Sequence, residues 1–274
     1  MIDAHQHFWH YDPSEFGWIG DSMSAIRRDF LPDELRAVAK AARVNGVVSV
    51  QARQTIEETL WLLDLAEENA LIRGVVGWMP LDSVELPKEL EKVADRRKLR
   101  GVRHVLQDEP SDQYMLREEF GRGISILREF DLRYDLLIFQ RQLPSVIQLV
   151  DRHPSQPFIL DHIAKPGIKE GEMEPWAHNM CELAKRPNVC CKISGMVTEA
   201  NWRTWTPAAL RPYFDVALEA FGPRRLMIGS DWPVSLLACP YQQWIETVRQ
   251  WAASLTVSEQ NDFFTNTAVQ AYGL

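Results

Sequence analysis

Two imidazoles stand two residues apart near the start of the chain, in Ile2-Asp3-Ala4-His5-Gln6-His7-Phe8-Trp9. Alternate side chains of an extended strand share a face, so His5 and His7 point the same way. Such a pair can ligate a divalent ion or polarise a carbonyl oxygen that is gaining negative charge. The plainer alternative is a pair of satisfied polar residues filling a barrel floor. Asp231 ends an apolar run in Ile228-Gly229-Ser230-Asp231-Trp232-Pro233. A carboxylate there is costly to bury unless it is paired or used. Its chemistry would be that of a general base taking a proton from water; its plainer role would be a helix cap. His162, in Asp161-His162-x-x-Lys165-Pro166, has the same two faces: a ligand for a carbonyl oxygen or metal, or a core histidine. Arg53 and Arg103 carry guanidinium forks that suit substrate oxygens, or else interloop ion pairs, and Lys165 and Lys192 divide in the same way. Trp9, Trp18, Trp78, Trp202 and Trp232 offer flat faces for a sugar ring or planar acid, against the blander role of packing.

Bringing these groups together is a task for regularly repeating elements. Eight apolar strand candidates cover residues 1–5, 46–51, 74–78, 101–105, 133–138, 158–161, 189–193 and 226–229. Several are continuously apolar, as in Gly46-Val47-Val48-Ser49-Val50, which suits parallel strands covered on both faces. Amphipathic stretches alternate with them at 32–44, 55–69, 86–97, 114–130, 143–153, 173–185, 207–221 and 241–254, with a last helix over 258–267. Thr55 and Glu58 have the spacing of a capping box. Strand then helix, eight times, predicts a (β/α)₈ barrel occupying residues 1–274 as a single domain. The rival doubly wound sheet would carry a Gly-rich phosphate turn after its first strand, and none is present.

Barrel sites form at the carboxyl ends of the strands. Of seven histidines, four fall there: His5, His7, His104 and His162. No Gly-x-Ser-x-Gly elbow or P-loop exists, which argues against a serine triad or a nucleotide site. The fourth strand ends without a lysine, Lys98 preceding it, so a two-metal site bridged by a modified lysine is not expected.

The bulk properties exclude other classes. The chain has 274 residues and a net charge of -8, which argues against nucleic acid as the main partner. No apolar run is long enough for a membrane helix, and no leader pattern is visible, so the expected compartment is cytoplasmic. Four cysteines without a C-x-x-C pair read as reduced core thiols.

The segments around His5 and His7, His162 and Lys165, and Asp231 together resemble the amidohydrolase-related group of sugar lactonases and pyrone-dicarboxylate lactonases, of the fuconolactonase and rhamnonolactonase kind. The resemblance spans almost the whole chain. It implies an amidohydrolase-type TIM barrel that hydrolyses a lactone ester, with Asp231 activating water and His5, His7 and His162 polarising the carbonyl. Arg53, Arg103, His104 and Trp232 would bind the substrate. One divalent metal, zinc, would sit on His5, His7 and Asp231, or the enzyme would work without one. Arg53, Arg103 and Arg141 are few for a dicarboxylate, so an aldonolactone is the expected substrate, with a pyrone-dicarboxylate lactonase or a zinc-dependent decarboxylase as alternatives. A non-catalytic barrel would be expected to lose the acid or base. The expected partner is a small-molecule lactone; self-association into a homo-oligomer stays open.

Overall fold

The computed structural model describes all 274 residues. Eight parallel strands form one sheet in sequence order: β1 (Ile2–Gln6), β2 (Gly46–Val50), β3 (Ile72–Gly77), β4 (Leu99–His104), β5 (Arg133–Leu136), β6 (Phe158–Leu160), β7 (Val189–Ile193) and β8 (Leu226–Ile228). The two ends of the sheet meet where Asp231 N–H donates to His5 O at 2.8 Å and His7 N–H donates to Trp232 O at 2.7 Å. The result is a nearly closed TIM barrel, as the strand–helix alternation predicts. The strands lie within one or two residues of their expected bounds.

Helices α1 (Pro32–Ala41), α2 (Ile56–Glu68), α3 (Leu86–Glu91), α4 (Glu118–Glu129), α5 (Leu143–Arg152), α6 (Trp176–Ala184), α7 (Pro207–Phe221) and α8 (Tyr241–Ala252) alternate with the strands. The Thr55 hydroxyl accepts from Glu58 N–H at the start of α2, the N-cap half of the expected capping box. Three expectations need correction. The helix expected over 86–97 stops at Glu91; the chain then turns, and Arg96 is held by Asp64 at 2.7 Å and Glu67 at 2.6 Å before β4 begins. The stretch 114–130 is broken because Arg117 is extended, with a separate short turn at Tyr114–Leu116. The last helix comes in three pieces, Val257–Asn261, a π-helical turn at Asp262–Asn266, and Thr267–Tyr272.

Two apolar clusters hold this together. The larger fills the space between strands and helices, where large side chains such as Phe120, Trp176, Phe214 and Trp244 are buried. The smaller lies inside the barrel, with Ile2, Ala4, Val48, Val50, Val76, Ile159 and Met227 from the strands and Ala268 and Tyr272 from the C-terminal helix. Alternation along the strands sends those residues inward and their neighbours, such as Val47, Val75 and Phe158, outward. The same alternation turns Arg103, Asp135 and Lys192 into the barrel. Lys192 on β7 meets Asp135 on β5 at 2.6 Å, a contact between non-adjacent strands that passes through the barrel interior.

Among the cysteines, Cys191 and Cys239 are buried as expected, but Cys181 is exposed on α6. No helix is long and apolar enough to cross a membrane.

Candidate active site

A cavity of about 630 Å³ opens at the carboxyl ends of the strands, and His7, Arg53, Arg103, His162 and Asp231 all line it. His5 lies directly beneath, with no exposed surface. His5 Nε2 and His7 Nε2 are 3.2 Å apart, and Asp231 Oδ1 is 3.8 Å from the first and 3.4 Å from the second. His5, His162 and Asp231 each offer a ligand atom, all within 4.8 Å of one another. The four residues placed by sequence at one mouth are thus brought together there.

Each ring is fixed from behind. His7 Nδ1 is 2.8 Å from Val50 O; a carbonyl only accepts, so this nitrogen carries the proton and a neutral His7 presents a lone pair on Nε2. His162 Nδ1 meets Ser194 Oγ at 2.9 Å, which leaves Nε2 without a protein partner. His5 Nδ1 faces Lys192 Nζ at 3.2 Å and Asp161 Oδ1 at 3.3 Å. Burial pushes His5 well below the usual histidine range, and burial also pushes His162 down to about 4, so both are neutral near pH 7. For Asp231 burial favours the neutral form, but the charge that His162 and His5 carry once protonated at low pH outweighs it and holds the carboxyl below the usual carboxylate range.

The backbone is held in unusual conformations at both key positions. Asp231 has φ 57°, and His162, Ile163, Ala164 and Lys165 form a left-handed turn with φ of 53°, 47°, 61° and 49°. Non-glycine residues adopt this region only where their surroundings fix them. For Asp231 the fixing is visible. Buried Asp3 accepts from Ser230 N–H at 2.8 Å and from Tyr241 Oη at 3.0 Å, and Ser230 Oγ accepts from Trp232 N–H at 3.0 Å. Burial raises the Asp3 carboxyl to about 6 despite those donors.

Below the site lies a charge network that sequence reasoning did not assemble. Asp161 takes Arg103 at 3.0 Å and Lys192 at 2.9 Å, and Asp135 takes Lys192 and also Tyr272 Oη at 2.6 Å. Arg103 further donates to the carbonyl of Gln51. The signal was present in the sequence: Lys192 interrupts the apolar run Val189–Ile193, and Asp135 interrupts Arg133–Leu136.

Two substrate-binding expectations are corrected. His104 follows the inward Arg103 on β4 and therefore points outward. It bonds Glu109 at 2.6 Å and stacks on Tyr114 at 5.5 Å, away from the cavity lining. Trp232 is 1% exposed and packs edge-on against Phe30 at 5.2 Å. Of the five tryptophans considered, Trp18 and Trp202 line the cavity. Arg53 does line it, but is already paired to Glu15 and lies 3.6 Å from Glu58. Arg141 is paired with Asp112 at 3.0 Å.

The donor set of imidazole nitrogens and one carboxylate oxygen, with their backs anchored by carbonyl, hydroxyl and carboxylate groups, fits a single divalent ion such as zinc. Ligands at roughly 2.0–2.2 Å around a tetrahedral ion lie about 3.3–3.6 Å apart, which compares with the 3.2, 3.4 and 3.8 Å separations here. Of the residues expected to ligate, His5 and Asp231 cluster with His162, and His7 Nε2 lies 3.2 Å from His5 Nε2 and 3.4 Å from Asp231 Oδ1.

Comparison with known proteins places this geometry in context. The model of a family described as Amidohydrolase matches residues 2–274. An L-fucono-1,5-lactonase of Burkholderia multivorans is 42% identical, the match covering 100% of this chain and 96% of that protein. An L-fucono-1,5-lactonase of Burkholderia ambifaria is 39% identical, over 86% of this chain and 81% of that one. A crystal structure of a Burkholderia multivorans amidohydrolase with bound zinc superposes with a TM-score of 0.95 at 41% identity, covering 100% of this chain and 99% of the other.

Proposed function

Because the chain belongs to the amidohydrolase family, we propose that it hydrolyses the ring ester of a sugar lactone to the open-chain acid. The observation that carries the chemistry is the Asp231 carboxyl group, 3.4 Å from His7 Nε2 in a cavity of about 630 Å³. A water donating to both Asp231 Oδ1 and the His7 Nε2 lone pair would be oriented and activated for attack. Its oxygen bonds the lactone carbonyl carbon, its proton passes to Asp231, and the carbonyl π electrons move onto oxygen. With Ser194 donating to Nδ1, His162 carries its proton on Nε2 and can donate to that oxyanion; one such donor is worth roughly 3 kcal/mol. Collapse breaks the ring C–O bond, and the departing alkoxide takes the proton that Asp231 holds.

In place of the His7 lone pair and the His162 proton, a divalent ion, zinc above all, would be held by His5, His7, Asp231 and a His162 that carries its proton on Nδ1 toward Ser194, and would supply Lewis-acid polarisation of an oxygen.

The paired state of Arg53 and Arg103 supports a neutral sugar lactone over a dicarboxylate, since neither guanidinium is free to neutralise two substrate charges. The test is a pH-indicator screen of aldono-1,4- and 1,5-lactones, beginning with L-fucono-1,5-lactone, with and without chelator. Turnover of at least one sugar lactone is expected. Inertness toward the whole panel, with turnover of a pyrone dicarboxylate or an aromatic acid instead, would overturn the assignment.

A further inference from the structure

One charged pair on the cavity wall has no part in the chemistry above. Lys165 and Glu199 both line the cavity beside His162 and Asp231, half-buried, with Lys165 Nζ 3.9 Å from Glu199 Oε1. That separation is too long for a hydrogen bond. It matches the span of one oxygen bonded to both groups at about 2.8 Å each. The position is built rather than incidental. Lys165 ends the left-handed turn that begins at His162, and its ammonium lies 5.5 Å from the centre of the Phe139 ring. Glu199 is carried by the segment after β7, where its backbone carbonyl accepts from Lys169 N–H at 3.0 Å. The two guanidinium groups of the cavity, by contrast, already have carboxylate partners in Glu15 and Asp161.

An ammonium donates and a carboxylate accepts. The group that satisfies both at one point is a hydroxyl. A second carboxylate on the substrate would instead face Glu199 with like charge. We propose that Lys165 and Glu199 form a clamp for a ring hydroxyl, selecting an uncharged polyhydroxylated lactone over one that bears a further carboxylate. This rests on the lactonase assignment and names what decides its specificity.

The test compares wild type, Lys165→Met, Glu199→Gln and the double variant on L-fucono-1,5-lactone and on δ-valerolactone, the same six-membered ester without hydroxyls. The ratio of the two kcat/KM values is expected to fall roughly tenfold to hundredfold in each single variant, through KM more than kcat. Because one hydroxyl joins both groups, the double variant should lose less than the product of the single losses. Glu199→Gln should also gain relative activity on a carboxylated lactone. Thermal unfolding identifies a misfolded variant, and Lys165→Gln then replaces Lys165→Met. Equal losses on both lactones, leaving the ratio unchanged, would overturn the clamp while the lactonase assignment stands. A wild-type protein that opens no sugar lactone would remove the assignment and the clamp together.

Discussion

A Cβ added to Gly195 would lie 2.6 Å from both Cγ and Nδ1 of His162, so the imidazole occupies space that only glycine leaves free. Gly195 also has φ 66°, a conformation unfavourable for any other residue. Gly195→Ala should therefore displace the ring and strain the backbone together. The expected result is a loss of at least about tenfold in kcat, with roughly 1–3 kcal/mol of stability lost. Steady-state kinetics and urea unfolding measure the two; full activity would show that the ring has room to move.

Lys192 compensates two carboxylates inside the barrel, Asp135 at 2.6 Å and Asp161 at 2.9 Å. Removing one member of a buried ion network leaves charge without a partner, at a cost of about 3–5 kcal/mol. Lys192→Met should unfold at markedly lower denaturant concentration than wild type. Asp135→Asn added to it should restore part of the loss, because the two share one interaction. Independent, additive losses would contradict the network.

Glu58 is buried beside the cavity, accepts from the N–H groups of Ala52 and Arg53, and is pushed by burial up to about 7. Its folded value thus lies above the ordinary 4.5. The stability it contributes is present below the ordinary value and lost as pH rises through about 7. The stability of wild type relative to Glu58→Gln should decline between pH 5 and pH 8, by roughly 3 kcal/mol at most. Paired denaturant titrations across that range give the comparison; a relative gain by wild type would reverse the sign.

The nitrogen and oxygen donors at the cavity floor predict one divalent site. Chelator-stripped protein titrated with cobalt(II) should develop visible absorption at one equivalent, and His7→Ala should weaken or abolish the signal, loss of an inner ligand or its supporting group costing about tenfold or more in affinity. An unchanged spectrum in the variant would remove His7 from the ligand set.

Much of the fold could be read from the chain because a covered parallel strand leaves a continuous apolar run, as in Gly46–Val50. His5, His7, His162 and Asp231 were legible for the same reason: each interrupts or ends such a run. Direction was harder to read. Arg103 and His104 are adjacent, and one-residue alternation sends the first into the barrel and the second out to Glu109. Trp232 suffered the same fate beside Asp231. The Asp135–Lys192–Asp161 network joins strands 26 or more residues apart, and no local pattern records which of them face each other across a barrel. The left-handed turn at His162–Lys165 had no glycine to announce it, since the strain is borne by packing rather than by residue type.

The convergence of Asp231 with three imidazoles is tested most directly by Asp231→Asn, assayed on the sugar lactone that wild type opens fastest. The amide keeps the shape but cannot accept a proton from water. The expected loss is about a hundredfold to ten-thousandfold in kcat with KM little changed and the protein folded. Turnover within a few fold of wild type would contradict the central role of that carboxylate.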